Sequence, residues 1–265
     1  MQRVCIATAC PKPVWFFFKP ALAIHIRTGT LMITLRPSRD FGSFRLDHFQ
    51  SLQHFGPESC GGHPMQWGDM IMWNHETISP RAALPQTPHT DTEILTYVSS
   101  GFLYHEDSLG NVGMLQSGNC QIMSAGTGVS IRRGNPDESD PVEFVQIWLM
   151  PHQPSGEPFS VTKGFADDGE PGQFITLASG FDNEGNSLPM RANARLSRIV
   201  LADGGIADYR FEAGNFGYLV PLSGAVQVGD VVANRNDGIL INNVERLTLT
   251  GVDEAEALLI EIGQG

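Results

Sequence analysis

From Met32 onward, apolar and polar residues alternate in short runs cut by glycine, proline, asparagine and aspartate, and no segment of comparable strength carries a helical period. Glu93 to Val98 is rich in β-branched and aromatic residues and predicts a strand, with a turn further on at Leu109-Gly110-Asn111. Val142 to Met150, mixing Val, Phe, Ile and Trp, predicts another that stops at Pro151. Arg198 to Ala202, Tyr209 to Ala213, Gly217 to Val228, Ile239 to Ile241, Arg246 to Thr250 and Ala257 to Ile262 continue the pattern. Gly204-Gly205 and Asp237-Gly238 supply turns between them. Many short strands at regular spacing predict an all-β sandwich or barrel.

A faint internal repeat sharpens that reading. Tyr97-Val98-Ser99-Ser100-Gly101-Phe102-Leu103 and Val220-Pro221-Leu222-Ser223-Gly224-Ala225-Val226 both read as strand, Ser-Gly turn and strand. Their glycines lie 123 residues apart, close to half of the 234 residues from Met32 to Gly265, as expected if one barrel occurs twice. The expected organisation is a first barrel over 32–150, a Pro- and Gly-rich linker over 151–172, and a second barrel over 173–265.

Composition changes the picture in three places. The formal charge of −12 and pI near 5.0 argue against direct binding of nucleic acid or an anionic membrane. They leave a basic surface as the better partner. Cys5, Cys10, Cys60 and Cys120 show no paired metal spacing and are too few for a disulfide scaffold, so a reducing, cytoplasmic setting is expected. Residues 1–31 carry Arg3, Lys12, Lys19 and Arg27 and no acid, leaving 13 basic and 29 acidic residues beyond them. The apolar run Val14 to Ile26 is broken by Lys19 and Pro20 and suits neither a signal peptide nor a membrane span. Residues 1–31 are read as a leader: an upstream start with the true one at Met32, a disordered extension, or an organelle-targeting peptide.

Thr87-Pro88-His89-Thr90-Asp91-Thr92-Glu93-Ile94-Leu95-Thr96-Tyr97-Val98 is similar to the first cupin motif of the pirin family. His105-Glu106-Asp107-Ser108-Leu109-Gly110-Asn111, Gln121-Ile122-Met123-Ser124-Ala125-Gly126-Thr127-Gly128 and Gln146-Ile147-Trp148 resemble that family's sequence in order and spacing, and a weaker likeness runs from Met32 through Gly265. The resemblance implies a bicupin, two jelly-roll-like β-barrels in tandem. It also implies one Fe, Mn or Cu ion in the N-terminal barrel, held by a His-x-His strand and a later His-x-Glu strand, and a quercetin 2,3-dioxygenase-like activity. Residues two apart on a strand share a face, so two such strands converge four donors on one interior.

The present chain departs from that pattern at three of the four positions, which fall at Thr87, His89, Ile131 and Arg133. Only His89 matches. Isoleucine has no donor atom, threonine is a poor ligand for a late transition metal, and arginine brings a permanent positive charge. One alternative set is His89, Glu93 and His105, with Glu93 four residues beyond His89 on one strand face. Another is an ionic contact of Arg133 with Glu93 or another acid where the metal would stand, or an anion site on Arg133 for a carboxylate or phenolate. The acidic loop Asp137-Glu138-Ser139-Asp140 beside Arg132 and Arg133 reads as a solvated, internally paired loop.

His48, His54, His63 and His75 lack ligand spacing and read as packing or surface residues, and Cys120 and Met123 read as core. No histidine follows His152, so the second barrel carries no histidine-based site. Three functions compete: a non-catalytic module that binds a small molecule in the N-terminal barrel or a protein partner, a metal-dependent quercetin 2,3-dioxygenase-like oxidoreductase, and a metal-free enzyme using Glu93 or His105 for acid-base work.

Overall fold

A computed structural model describes residues 32–56, 66–165, 169–181 and 185–264, with the backbone of 3–5 and 15–17. Of the expected leader, 1–31, it gives one antiparallel pairing, β1 (Arg3–Cys5) with β2 (Trp15–Phe17); the rest lies outside the described residues. Among the described residues every regular element is a strand apart from one 3-10 turn at Ser38–Asp40. No helix among the described residues is long and apolar enough to cross a membrane.

After β3 (Met32–Arg36) the strands of the first unit run β4 (Gly42–Leu46), β5 (Phe49–Phe55), β6 (Met70–Ile78), β7 (Thr87–His89), β8 (Glu93–Ser100), β9 (Phe102–Asp107), β10 (Val112–Gln116), β11 (Asn119–Ser124), β12 (Val129–Gly134), β13 (Val142–Leu149) and β14 (Phe159–Gly164). They form a four-stranded sheet, β10-β9-β12-β7, and a seven-stranded sheet, β14-β11-β8-β13-β6-β5-β4. The second unit follows with β15 (Ile175–Ser179), β16 (Leu188–Pro189), β17 (Ala194–Leu201), β18 (Ile206–Arg210), β19 (Phe216–Ser223), β20 (Ala225–Val228), β21 (Val231–Asn234), β22 (Gly238–Asn242), β23 (Arg246–Gly251) and β24 (Ala255–Ile262). Its sheets are β16-β15-β17-β24-β19-β22-β3 and β18-β23-β20-β21. Each unit therefore closes a seven-stranded sheet over a four-stranded one, the duplicated barrel that the repeat predicts.

The two Ser-Gly turns of the repeat are fixed by the same sterics. Gly101 (φ +80) joins β8 to β9 and Gly224 (φ +61) joins β19 to β20. A Cβ at Gly101 would lie 2.8 Å from the carbonyl oxygen of Pro141, and one at Gly224 would lie 2.2 Å from that of Glu254. Only glycine combines the left-handed backbone with that approach.

Two assignments depend on tertiary pairing. Met32–Arg36, expected to open the first barrel, pairs with β22 in the second unit's sheet. The stretch 151–172, expected to be a linker, contains β14, which pairs along its whole length with β11. Each strand occupies the same edge of its seven-stranded sheet, and which open edge a strand covers is set by backbone groups distant in sequence.

The core of the first unit has two apolar layers. One gathers Met72, Ile94, Met123, Val129, Ile131 and Trp148; the other gathers Phe49, Ile78, Val98, Leu103, Leu115 and Phe144. The second unit has one continuous apolar cluster that includes Leu219, Ile239, Leu247 and Leu259.

Candidate functional site in the first barrel

Between the two apolar layers lies a band of buried polar side chains. On the four-stranded sheet, β12 pairs Val129 with His89 and Ile131 with Thr87 on one side, and Arg133 with His105 on the other. Val129 and Ile131 belong to the core, so Arg133, two residues further on, points to the same interior, and only 6% of it is exposed. The four positions Thr87, His89, Ile131 and Arg133 thus line one face, as the strand spacing predicts.

The facing sheet contributes a row that the register runs through directly: Gln53 opposite Asn74, Asn74 opposite Gln146, Gln146 opposite Thr96, and Thr96 opposite Gln121. Glu76, one pleat beyond Asn74, completes the band. All are buried. Gln121 Nε2 lies 3.3 Å from His105 Nδ1 and joins the two sheets.

Burial governs the charges here. Burial, and then the Arg133 guanidinium, push the His89 imidazole down to about 3, so it is neutral. Thr87 Oγ1 lies 3.0 Å from His89 Nε2, and the imidazole meets Trp148 edge-on with ring centroids 5.0 Å apart. His105 is lowered for the same two reasons. Glu76 is pushed up to about 7 by burial, opposed by the hydrogen bond from Asn74 Nδ2 (3.2 Å) and by the Arg133 charge. Arg133 falls to about 10, again through burial, and keeps its charge at neutral pH. Its Nε and Nη2 have no hydrogen-bond partner within the protein.

Glu93 belongs elsewhere. Its carboxylate accepts hydrogen bonds from Ser124 Oγ and from the Arg191 amide (2.9 Å), and Arg191 Nη1 also reaches Ser124 Oγ. Ile94 and Trp148 face the core and are register partners, so Glu93 lies on the opposite face of β8. Of the two expected forms of ionic contact, Arg133 with Glu93 is therefore not made, and the other acid whose charge acts on Arg133 is Glu76. The set His89, Glu93 and His105 does not assemble either: His89 ends β7 and Glu93 begins β8, in different sheets, with a turn at Asp91 (φ +45) between them. Strand parity does not carry across such a turn. Among the described residues no three His, Cys, Asp or Glu side chains converge as a metal would require.

The remaining candidates fall where packing puts them. Cys120 is fully buried and its thiol is pushed up to about 12 by desolvation, and Met123 is core. The acidic loop is held by Asp137 Oδ1 accepting from the Ser139 and Asp140 amides, and Glu138 pairs with Arg81 at 2.8 Å, not with Arg132 or Arg133. His48 is exposed, His54 is buried with its ring tilted at 41° to that of Trp73, and His63 lies outside the described residues.

Sequence reading overlooked the polar row and Glu76. A signal was present: Asn74 and Glu76 in MIMWNHETI, and Gln146 in VEFVQIWL, are polar side chains at alternate positions in runs otherwise fit for burial. It also overlooked a buried cluster in the second barrel. There Glu261 accepts from Tyr209 Oη (2.7 Å), Asn215 Nδ2 (2.7 Å), the Glu212 amide (2.8 Å) and Arg195 Nη1 (3.3 Å).

Comparison with known proteins agrees with this architecture. Residues 35–149 match the family model described as Pirin, and residues 176–262 match that of the quercetinase C-terminal cupin domain. A pirin-like protein of Caulobacter vibrioides is 36% identical over 214 residues, covering 81% of this chain and 90% of that one. The quercetin 2,3-dioxygenase of Escherichia coli K12 is 29% identical over 189 residues, covering 71% and 80%. The crystal structure of the bacterial pirin YhhW of Escherichia coli in complex with nickel(II) superposes with a TM-score of 0.81 at 26% identity, covering 88% of this chain and all of that one. With both barrels matched and the motif strands in register around one interior, this chain belongs to the pirin family of two-barrel cupins.

Proposed function

We propose that the first barrel is a metal-free, non-catalytic module that binds a small organic anion on the guanidinium of Arg133. The observation that carries this reading is Arg133 itself, a buried cation with two N–H groups that meet no acceptor in the protein. A buried charge is costly unless paired and hydrogen-bonded, and an anion of matching geometry supplies both.

The donor set supports the same reading. Of the four positions at which the family resemblance implies metal ligands, His89 alone offers a suitable atom, and that imidazole is already engaged with Thr87. A dication placed there would meet the Arg133 charge at short range. The residues do not fit the metal. The module would work in a reducing, cytoplasmic setting.

The test is elemental mass spectrometry on untagged protein beside a variant carrying Thr87→His, Ile131→His and Arg133→Glu. The natural protein is expected to hold less than about a tenth of an equivalent of iron, manganese, copper or nickel, and the variant to gain metal, because imidazole and carboxylate donors are what these ions require. The name of the Escherichia coli relative favours a second reading, a metal-dependent quercetin 2,3-dioxygenase-like oxidoreductase. About one equivalent in the natural protein would overturn the first reading, and oxygen consumption with a flavonol would then test the second.

A further inference from the structure

The geometry points to a hydroxycarboxylic acid as the ligand of the first barrel: its carboxylate on the Nε/Nη2 edge of Arg133, its hydroxyls on the polar row of the facing sheet. This rests on the reading of Arg133 as an anion site and adds what lies opposite it.

Two observations carry it. The first is which atoms lack partners. Nε and Nη2 form one edge of the guanidinium, the edge that grips a carboxylate through two parallel N–H···O bonds. On the facing sheet, Gln53 Oε1, Asn74 Oδ1 and Thr96 Oγ1 are also buried without a hydrogen-bond partner. Asn74 donates Nδ2 to Glu76, which turns its Oδ1 away from that contact. The guanidinium offers donors only; the facing sheet offers two amide oxygens that accept and one hydroxyl that can do either. Buried polar groups in native proteins are almost always satisfied, so a cluster of such atoms around one interior marks a site completed by something polar.

The second observation is the duplicate barrel, an internal control for what the fold needs. Thr96 lies five residues before Gly101, and Leu219 lies five before Gly224. The register then sets Gln146 and Gln121 beside Thr96, and Leu259 and Ile239 beside Leu219. The second barrel fills these central positions with aliphatic side chains in one continuous core. Packing alone does not call for Gln, Thr and Gln in the first. A row of four amides and one hydroxyl there pairs with ligand hydroxyls, and a ligand lacking them would leave those groups unpaired, the strongest basis for discrimination a binding site has.

The test is titration calorimetry of the full chain with D-gluconate, with hexanoate, which keeps the carboxylate and lacks the hydroxyls, and with sorbitol, which keeps the hydroxyls and lacks the carboxylate. Gluconate is expected to bind at least about tenfold more tightly than either. Thr96→Val with Gln53→Met should erase the advantage of gluconate over hexanoate while leaving hexanoate within about twofold, and Arg133→Met should weaken both acids at least about tenfold. Unchanged circular dichroism and a single cooperative melting transition show that each variant is folded. Hexanoate binding as tightly as gluconate, with no effect of Thr96→Val and Gln53→Met, would overturn the hydroxyl inference and leave Arg133 as an anion site. Sorbitol binding as tightly as gluconate, acid binding indifferent to Arg133→Met, or no acid binding would overturn both.

Discussion

Replacing Glu261 by alanine is expected to destabilise the protein by about 3–5 kcal/mol, the range for removing one partner from a buried hydrogen-bonded charge pair. Glu261 is 0% exposed and sits on β24, where its register partner on β17 is Arg195. One carboxylate oxygen accepts from Tyr209 and Arg195, the other from Asn215 and the Glu212 amide. Alanine removes the acceptor these four donors share and opens a void between strands. The loss should lower the urea midpoint of the full chain by about 1–2 M at a typical denaturant slope. Glu261→Gln should recover part of it, because the amide keeps one acceptor and the shape while setting its NH2 against donors. A midpoint shift under about 0.3 M in Glu261→Ala would show that the cluster contributes little to stability.

Glu76→Gln is expected to stabilise the protein at pH 8 by about 3 kcal/mol and to leave it unchanged near pH 4, giving a difference profile that opens between those limits. Burial holds this carboxyl at about 7 in the fold, against 4.5 for an ordinary glutamate. Between those values the unfolded chain has released the proton and the folded chain retains it. The stability contributed by protonated Glu76 is therefore fully present below about pH 4.5 and is lost as pH rises through about 7, by 1.36 kcal/mol for each pH unit between. Glutamine mimics the protonated form at every pH. Subtracting the two profiles isolates Glu76 from other carboxyls, including Glu93, which burial also raises. If Glu76→Gln were instead less stable at pH 8, ionised Glu76 would be acting chiefly as the counter-ion that Arg133 needs.

Much of the first barrel could be read from the chain. Glu93–Val98 and Val142–Met150 appear as β8 and β13 within two residues at each end, and the run Gly217 to Val228 divides at Gly224 into β19 and β20. The placement of Thr87, His89, Ile131 and Arg133 on one inner face was legible too, because side-chain alternation within a strand is local and needs no knowledge of neighbours.

What the sequence by itself determined, then, is everything that depends on short-range geometry: the strands, the two glycine turns, the duplicated barrel, and the face each side chain takes within its own strand. Tertiary structure decided the partners. Glu93 looked like a neighbour of His89, but the left-handed turn at Asp91 sends β7 and β8 into different sheets and hands its carboxylate to Ser124 and Arg191. Glu76 lies 57 positions before Arg133 and shares its interior only because β6 and β12 belong to facing sheets. The row Gln53, Asn74, Gln146, Thr96 and Gln121 exists only through the register of five strands. Register is fixed by backbone hydrogen bonds between segments remote in the chain, so no window of sequence contains it.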